Sequence, residues 1–322
     1  MSMYETILKT PNQFAFEPKV INAKNLKKFS KYLVVGMGGS HLAADLIKMW
    51  LPELDLISYQ DYGLPNLNKT DLQNRLIIFS SYSGNTEEVI DSYLQAGKMG
   101  LNRAVISVGG QLLELAKKDQ VAYVQMPDFG IQPRSALPLS LLSFLLILGQ
   151  KDILSELKKL EFDFHPEKFE IAGQDLTDTL RNRVPIIYSS ASNKAIGYIW
   201  KINFNETGKI PAFNNVFPEL NHNEMNGFGV EKTTVELSDN FYFIFLSDKN
   251  DSSKIKERME ITDKLYSNRN LPSQIITLGE ANQFLKFFNS LALVEFAAYF
   301  TAQNYGLESE QVPMIEEFKK ML

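Results

Sequence analysis

Short apolar runs alternate along this chain with longer stretches of helical period. In "KYLVVGMGGSHLAADLIKMW" the pattern predicts a strand over 31–35, a glycine turn and an amphipathic helix. "LDLISYQDYGLP" reads as a second short strand ending in a turn. "NRLIIFSSYSGNTEEVIDSYLQAG" and "NRAVISVGGQLLELAKKDQ" each repeat the order strand, polar tip, helix, and "VAYVQMP" adds a strand. A helix from about 135 to 150 closes this part. Nearly continuous apolar strands separated by helices predict an α/β fold with a parallel sheet covered on both faces.

The plan recurs in the second half. "VPIIYSS" (184–190), "KIPAFNNV", "NFYFIFLS" and "PSQIITLG" read as strands. "NKAIGYIWKINFNETG", "SSKIKERMEITDKLYSN", "ANQFLKFFNSLALVEFAAYFTAQNYG" and "EQVPMIEEFKKML" read as helices, and "PELNHNEMNGF" as a turn or short helix. The polar, proline-containing "KKLEFDFHPEK" is the candidate linker. The expected organisation is therefore two α/β units in tandem, residues 1–153 and 154–322.

Composition narrows the chemistry. The chain has 322 residues, is 44% hydrophobic and 22% charged, and carries a net charge of -5, which argues against a nucleic-acid surface. There is no cysteine, so disulfides and thiolate metal sites are excluded. The three histidines, His41, His165 and His222, show no metal-ligand spacing, and neither a metal nor a cofactor is expected. The longest apolar run, 137–149, is too short to span a bilayer, and "MSMYETILKT" does not read as a signal peptide. The expectation is a cytoplasmic protein without membrane or nucleic-acid partners.

Two strand tips carry candidate chemistry, "GMGGS" (36–40) and "SSYSGNT" (80–86). In open parallel sheets ligands sit at the carboxyl ends of strands. Each tip precedes a helix, whose first-turn amides attract anions. Ser81, Ser83 and Thr86 add rotatable O–H donors able to ring a phosphate monoester. Neither tip has the lysine of a nucleotide P-loop, and His41 stands where GxGxxG needs its third glycine. Asp55 and Asp61 lie near the distance at which a dinucleotide site wants an acid, so that alternative stays open. The same Ser, Asn and Thr residues also suit a plain capped helix start, with Glu87 and Glu88 in its first turn.

"GMGGS", "DYGLP", "SYSGNTEE", "QPRSALP", "NFNETGKIPAF" and "PELNHNE", in this order, resemble the bifunctional phosphoglucose/phosphomannose isomerases of the sugar isomerase (SIS) superfamily. The resemblance spans most of the chain. "SYSGNTEE" alone marks only an SIS domain, whereas "PELNHNE" with an upstream "NE" is specific to this branch. It implies two tandem SIS domains that interconvert glucose 6-phosphate or mannose 6-phosphate with fructose 6-phosphate. The family's phosphate cage falls on Ser40, Ser81, Ser83 and Thr86 with amides around Gly39. Its base falls on Glu206, its ring-opening histidine on His222, its intermediate-stabilising arginine on Arg134 and its C-terminal lysine on Lys319. The family works as a homodimer in which the histidine reaches the neighbouring site. Three features depart from it: His41 replaces a usual glycine, "NETGK" replaces "NENAK", and no Asp-Pro precedes the last helix.

These residue types suit the reaction. A histidine moves protons near neutral pH, as ring opening requires. A carboxylate can take the C2 proton and return it to C1. A fixed cation offsets the charge of a cis-enediolate. Each residue also has a plainer reading. His222 could cap its turn, Glu206 could end a helix before Gly208, Arg134 could pair with an acid, Glu224 could be a solvated neighbour, and Lys319 competes with Lys320. An amino-sugar deaminase, an SIS lyase and a non-catalytic sugar-phosphate sensor are the alternative functions.

Overall fold

In the computed structural model, which describes residues 1–279 and 282–321, the chain forms two compact units. Ala281 and Leu322, assigned to helices from the sequence, lie outside the described residues. One unit comprises Met1 with Lys9–Asp163, the other Ser2–Leu8 with Phe164–Leu322.

The first unit holds a sheet of β1 (Val20–Ile21), β2 (Lys31–Gly36), β3 (Asp55–Tyr59), β4 (Leu76–Ser80), β5 (Arg103–Ser107) and β6 (Ala122–Gln125), in the order β1-β6-β5-β4-β2-β3. All neighbours are parallel except the two-residue β1, which runs antiparallel to β6 at the edge. Strand residues alternate between two covered faces. Leu33, Val35, Ile77, Phe79 and Val105 pack with Val89 and Tyr93 of helix Glu87–Lys98 and Leu112 and Ala116 of helix Gly110–Lys118. Phe79 meets Tyr93 edge-on at 5.3 Å between ring centres. Helices Leu42–Trp50 and Leu137–Ile147 pack against each other. The second of these is apolar on every side, and every residue of it but one is buried, as such a helix requires.

The second unit holds an all-parallel sheet of β7 (Val184–Ser190), β8 (Phe213–Phe217), β9 (Phe241–Asp248) and β10 (Ser273–Leu278), in the order β10-β9-β7-β8. Ile186, Tyr188, Phe217, Phe243 and Phe245 form one core face with Met259 and Tyr266 of helix Ser253–Ser267. The long helix Gln283–Asn304 packs on helices Lys194–Glu206 and Glu170–Thr179.

The segment read as a linker is not an exposed tether. It contains helix Leu160–Asp163 and a 3-10 turn Pro166–Phe169, and Leu160 and Phe164 are buried. The N-terminal helix Met3–Lys9 has no counterpart in the sequence reading. Its Met3 and Ile7 pack on Phe296 in the second unit, a contact across most of the chain.

Candidate active site

Both expected phosphate-site tips lie in the first unit, at the carboxyl ends of the neighbouring strands β2 and β4. Gly36, the last residue of β2, pairs with Ser80, the last of β4. The tips are tied together: Ser80 Oγ donates to the Ser40 carbonyl at 2.8 Å, and Tyr82 N donates to Ser40 Oγ at 3.0 Å. Gly39 fits only as glycine. A Cβ there would lie 2.9 Å from the backbone nitrogen of Arg134, so this tip is packed directly on the short helix Pro133–Ser135. Arg134 itself is buried. Gly39, Ser40 and Arg134 thus come together although about a hundred positions separate them in sequence.

The hydroxyls of the second tip do not cap the helix that follows. Thr86 is the residue before helix Glu87–Lys98, yet its side chain makes no capping bond. Its Oγ1 lies 2.8 Å from Ser81 Oγ, which accepts from Gly84 N at 3.0 Å. With the Gly84 N–H on its lone pair, Ser81 can give its own proton to Thr86 and leave the Thr86 proton for an incoming oxygen. Ser83 is exposed, and its Oγ accepts from Asn85 N at 3.2 Å.

A neighbouring loop that the sequence reading passed over sets the shape of this tip. Gly84 (φ +74°) and Gly110 (φ +71°) interlock: a Cβ on Gly84 would lie 1.8 Å from the Gly109 carbonyl oxygen, and one on Gly110 would lie 2.3 Å from that of Ser83. Leu112 N donates to the Gly84 carbonyl at 2.8 Å, and Gln111 N to Asn85 Oδ1 at 3.0 Å. The doubled glycine of "SVGGQ" was the available signal.

His41 is buried, with Nδ1 2.7 Å from Asp45 Oδ2 and 3.1 Å from Gln60 Nε2. It makes no side-chain cap to helix Leu42–Trp50. The imidazole is therefore built into the base of the first tip by two polar partners.

The other candidates lie in the second unit. Glu206 is the half-buried last residue of helix Lys194–Glu206. The helix stop differs in detail from the expected glycine stop. Gly208 N bonds back to the Asn203 carbonyl at 3.0 Å, but the left-handed residue is Lys209 (φ +58°). Gly208 is needed for space, because a Cβ there would lie 2.8 Å from the Phe204 carbonyl oxygen.

His222 ends the 3-10 turn Glu219–His222 and is exposed, and its side chain makes no hydrogen bond among the described residues. Its neighbours in "PELNHNE" are all anchored. Asn221 Nδ2 donates to Thr262 Oγ1 at 2.9 Å, and its Oδ1 accepts from Arg258 Nη1 at 3.3 Å. Asn223 Nδ2 donates to Glu219 Oε1 at 2.8 Å. Glu224 is no solvated neighbour: its carboxylate accepts from the Tyr188 hydroxyl at 2.6 Å and from Asn215 Nδ2. Tyr188 is wholly buried. Burial above all, with the nearby Tyr266 and Glu224, pushes its hydroxyl far above the ordinary tyrosine range, so it stays a donor. The strands β7 and β8 thus hold the turn while the imidazole is left facing outward.

Lys319 lies on the terminal helix Pro313–Met321, exposed, in an i,i+3 ion pair with Glu316 at 2.9 Å. No hydrogen bond or ion pair joins Glu206, His222 and Lys319 to one another among the described residues.

Residues 169–322 match the family model described as the bacterial phospho-glucose isomerase C-terminal SIS domain. The bifunctional phosphoglucose/phosphomannose isomerase of Aquifex aeolicus is 30% identical over 99% of this chain and 98% of its own length. That of Caldicellulosiruptor bescii is 31% identical with the same coverage. Among solved structures, the C-terminal domain of glucosamine-fructose-6-phosphate aminotransferase from Francisella tularensis superposes with a TM-score of 0.72 over 96% of this chain and 98% of that one, at 12% identity, a likeness of fold alone. Full-length identity at this level, added to an α/β fold with two SIS-type sheets, means that the chain belongs to the bifunctional phosphoglucose/phosphomannose isomerase family.

Proposed function

We propose that this chain is a metal-independent aldose–ketose isomerase that interconverts glucose 6-phosphate or mannose 6-phosphate with fructose 6-phosphate through a cis-enediolate. The observation that carries the reading is the pair of joined tips after β2 and β4, whose Ser81–Thr86 hydroxyl pair is not spent on capping a helix. The phosphate dianion is held there by Ser40, Ser81, Ser83, Thr86 and the amides around Gly39. Holding the far end of the sugar fixes its reactive carbons, which converts much of the binding energy into orientation.

His222 moves the proton between O1 and the ring oxygen and opens the ring. Glu206 removes the C2 proton and returns it to C1, so the base ends as it began. Arg134 offsets the charge of the enediolate oxygens. Lys319 supplies a further cation from the last helix, where it pairs with Glu316. A cytoplasmic homodimer, with His222 serving the partner's site, is part of the proposal. Its dimeric part is supported by the exposed, outward-facing imidazole; among the described residues no helix is long and apolar enough to cross a membrane.

The test is a coupled assay on fructose 6-phosphate that reads glucose 6-phosphate and mannose 6-phosphate separately, with EDTA present. Turnover to at least one aldose, undiminished by EDTA, is expected. Binding without turnover would make the chain a sensor, and loss of activity in EDTA would contradict the scheme.

The role of His222 has its own readout. His222→Ala is expected to lower turnover of cyclic hexose phosphates about 10²-fold or more while sparing an acyclic sugar-phosphate analogue. Glu224→Gln, which leaves the imidazole in place but removes the carboxylate gripped by Tyr188 and Asn215, is expected to show the same dependence on substrate form, more weakly. Equal losses on both substrate forms would remove the ring-opening role.

A further inference from the structure

The second unit repeats the geometry of the first at the same place in its sheet. β2 lies between β3 and β4, and β7 lies between β8 and β9, so in each sheet the strand order reverses at the strand one in from an edge. That is where open α/β sheets take ligands. The register can be followed residue by residue. Gly36 ends β2 opposite Ser80, and Ser81 comes next. Ser189 lies opposite Leu246, which brings Ser190, the end of β7, to Ser247, and Asp248 comes next. Asp248 therefore holds the position in the second sheet that Ser81 holds in the first.

The surroundings of Asp248 are those of a bound anion. It is 3% exposed. Its carboxylate forms an ion pair with Lys286, which is 7% exposed and comes from the first turn of helix Gln283–Asn304. It also accepts from Asn250 N at 2.9 Å and, more loosely, from Asn193 Nδ2 at 3.4 Å. Asn193 precedes helix Lys194–Glu206 and bonds in addition to Ser190 Oγ at 3.0 Å and Asp251 Oδ1 at 3.3 Å. Asp251 Oδ2 in turn accepts from Asp248 N at 3.0 Å. Burial opposes ionisation of Asp248, but the hydrogen bonds and charge of Lys286, with the Asn250 amide and Asn193, outweigh it and hold the carboxyl below the usual aspartate range. A strand tip, a helix start, polar side chains and a buried cation converge on one negative charge, and the chain supplies that charge itself.

We propose that the carboxyl ends of β7 and β9 form a second anion site, filled by the chain's own Asp248 carboxylate. The wild-type chain consequently takes one sugar phosphate, in the first unit, and shortening Asp248 to serine, as at Ser81, vacates the second position for a tetrahedral dianion paired with Lys286. The comparison of the two tips rests on reading the first as an anion site, and the experiment separates the two ideas.

The probe is sodium sulfate, compared with sodium chloride at equal ionic strength, read as the thermal midpoint of the full-length chain. Asp248→Ser alone should lower the midpoint by about 5 °C or more, because it leaves Lys286 buried without its counter-charge. Sulfate should then raise the midpoint of Asp248→Ser by at least about 2 °C more than it raises that of wild type. In Asp248→Ser with Lys286→Met that extra gain should vanish, and with both charges gone the midpoint without sulfate should recover toward wild type. If Asp248→Ser does not fold without added salt, its recovery by sulfate and not by chloride reads the same effect. An equal sulfate response in Asp248→Ser and wild type, or a gain that survives loss of Lys286, overturns the inference. The reading of the first unit is checked apart from this by Ser83→Ala with Thr86→Val in an otherwise wild-type chain, which should abolish the wild-type response to sulfate.

Discussion

Glu206→Gln is expected to abolish exchange of the C2 hydrogen with deuterated water and to lower kcat by about 10³- to 10⁴-fold, while binding of fructose 6-phosphate survives. The size follows from what a positioned general base contributes, about 10²- to 10⁴-fold, with each factor of ten worth about 1.4 kcal/mol. Glutamine keeps the shape at the end of helix Lys194–Glu206 but cannot accept the proton. Binding should persist because the proposed phosphate contacts, Ser40, Ser81, Ser83 and Thr86, are untouched. The measurement is deuterium incorporation by mass spectrometry beside a direct binding titration. Exchange that continues in Glu206→Gln would show that another group is the base. Loss of both exchange and binding would point instead to a structural role at the helix end.

Gly84→Ala is expected to raise KM for fructose 6-phosphate by about 10²-fold or more and to lower the thermal midpoint by several degrees. Two costs add. An alanine at φ +74° is strained by about 1–3 kcal/mol, and its Cβ would lie 1.8 Å from the Gly109 carbonyl oxygen, an overlap only backbone movement can relieve. That movement displaces the tip bearing Ser81, Ser83 and Thr86. Gly38 is the internal control. It too has positive φ, +53°, but a Cβ there meets nothing within 4 Å, so Gly38→Ala carries strain without a clash and should have the smaller effect. A Gly84→Ala protein with wild-type KM and midpoint would show that the Gly84–Gly110 interlock does not shape the site.

The candidate residues differ in how visible they were beforehand. The tip "SSYSGNT" announces itself because hydroxyl-rich residues directly between an apolar run and an acidic helix start have few local uses. Capping was the plain alternative, and it turned on one hydrogen bond: the Thr86 side chain goes to Ser81 and not to its own helix. Glu224 was undervalued because its partners, Tyr188 and Asn215, come from two other strands, and Tyr188 reads in the sequence only as one apolar strand residue. Asp248 was passed over for the same reason. An aspartate just after a strand reads as a turn residue until Lys286 is seen beside it, 38 positions further on.

The sequence alone determined strands β2 to β10 and the helices that carry or follow the candidate tips, the polar tips after β2 and β4, and the family resemblance, but not helices Met3–Lys9, Lys69–Gln73, Lys151–Lys158, Leu160–Asp163 and Glu170–Thr179. Those features are local: strand and helix periods, glycine turns and helix starts are written within about a dozen consecutive residues. Only the tertiary structure decided that the N-terminal helix belongs with the second unit, that Gly39 packs on Arg134, that Gly84 and Gly110 interlock, and that Asp248 answers in register to Ser81. Each of these joins residues distant in the chain, and which distant surfaces meet is set by how the whole set of apolar faces is buried at once.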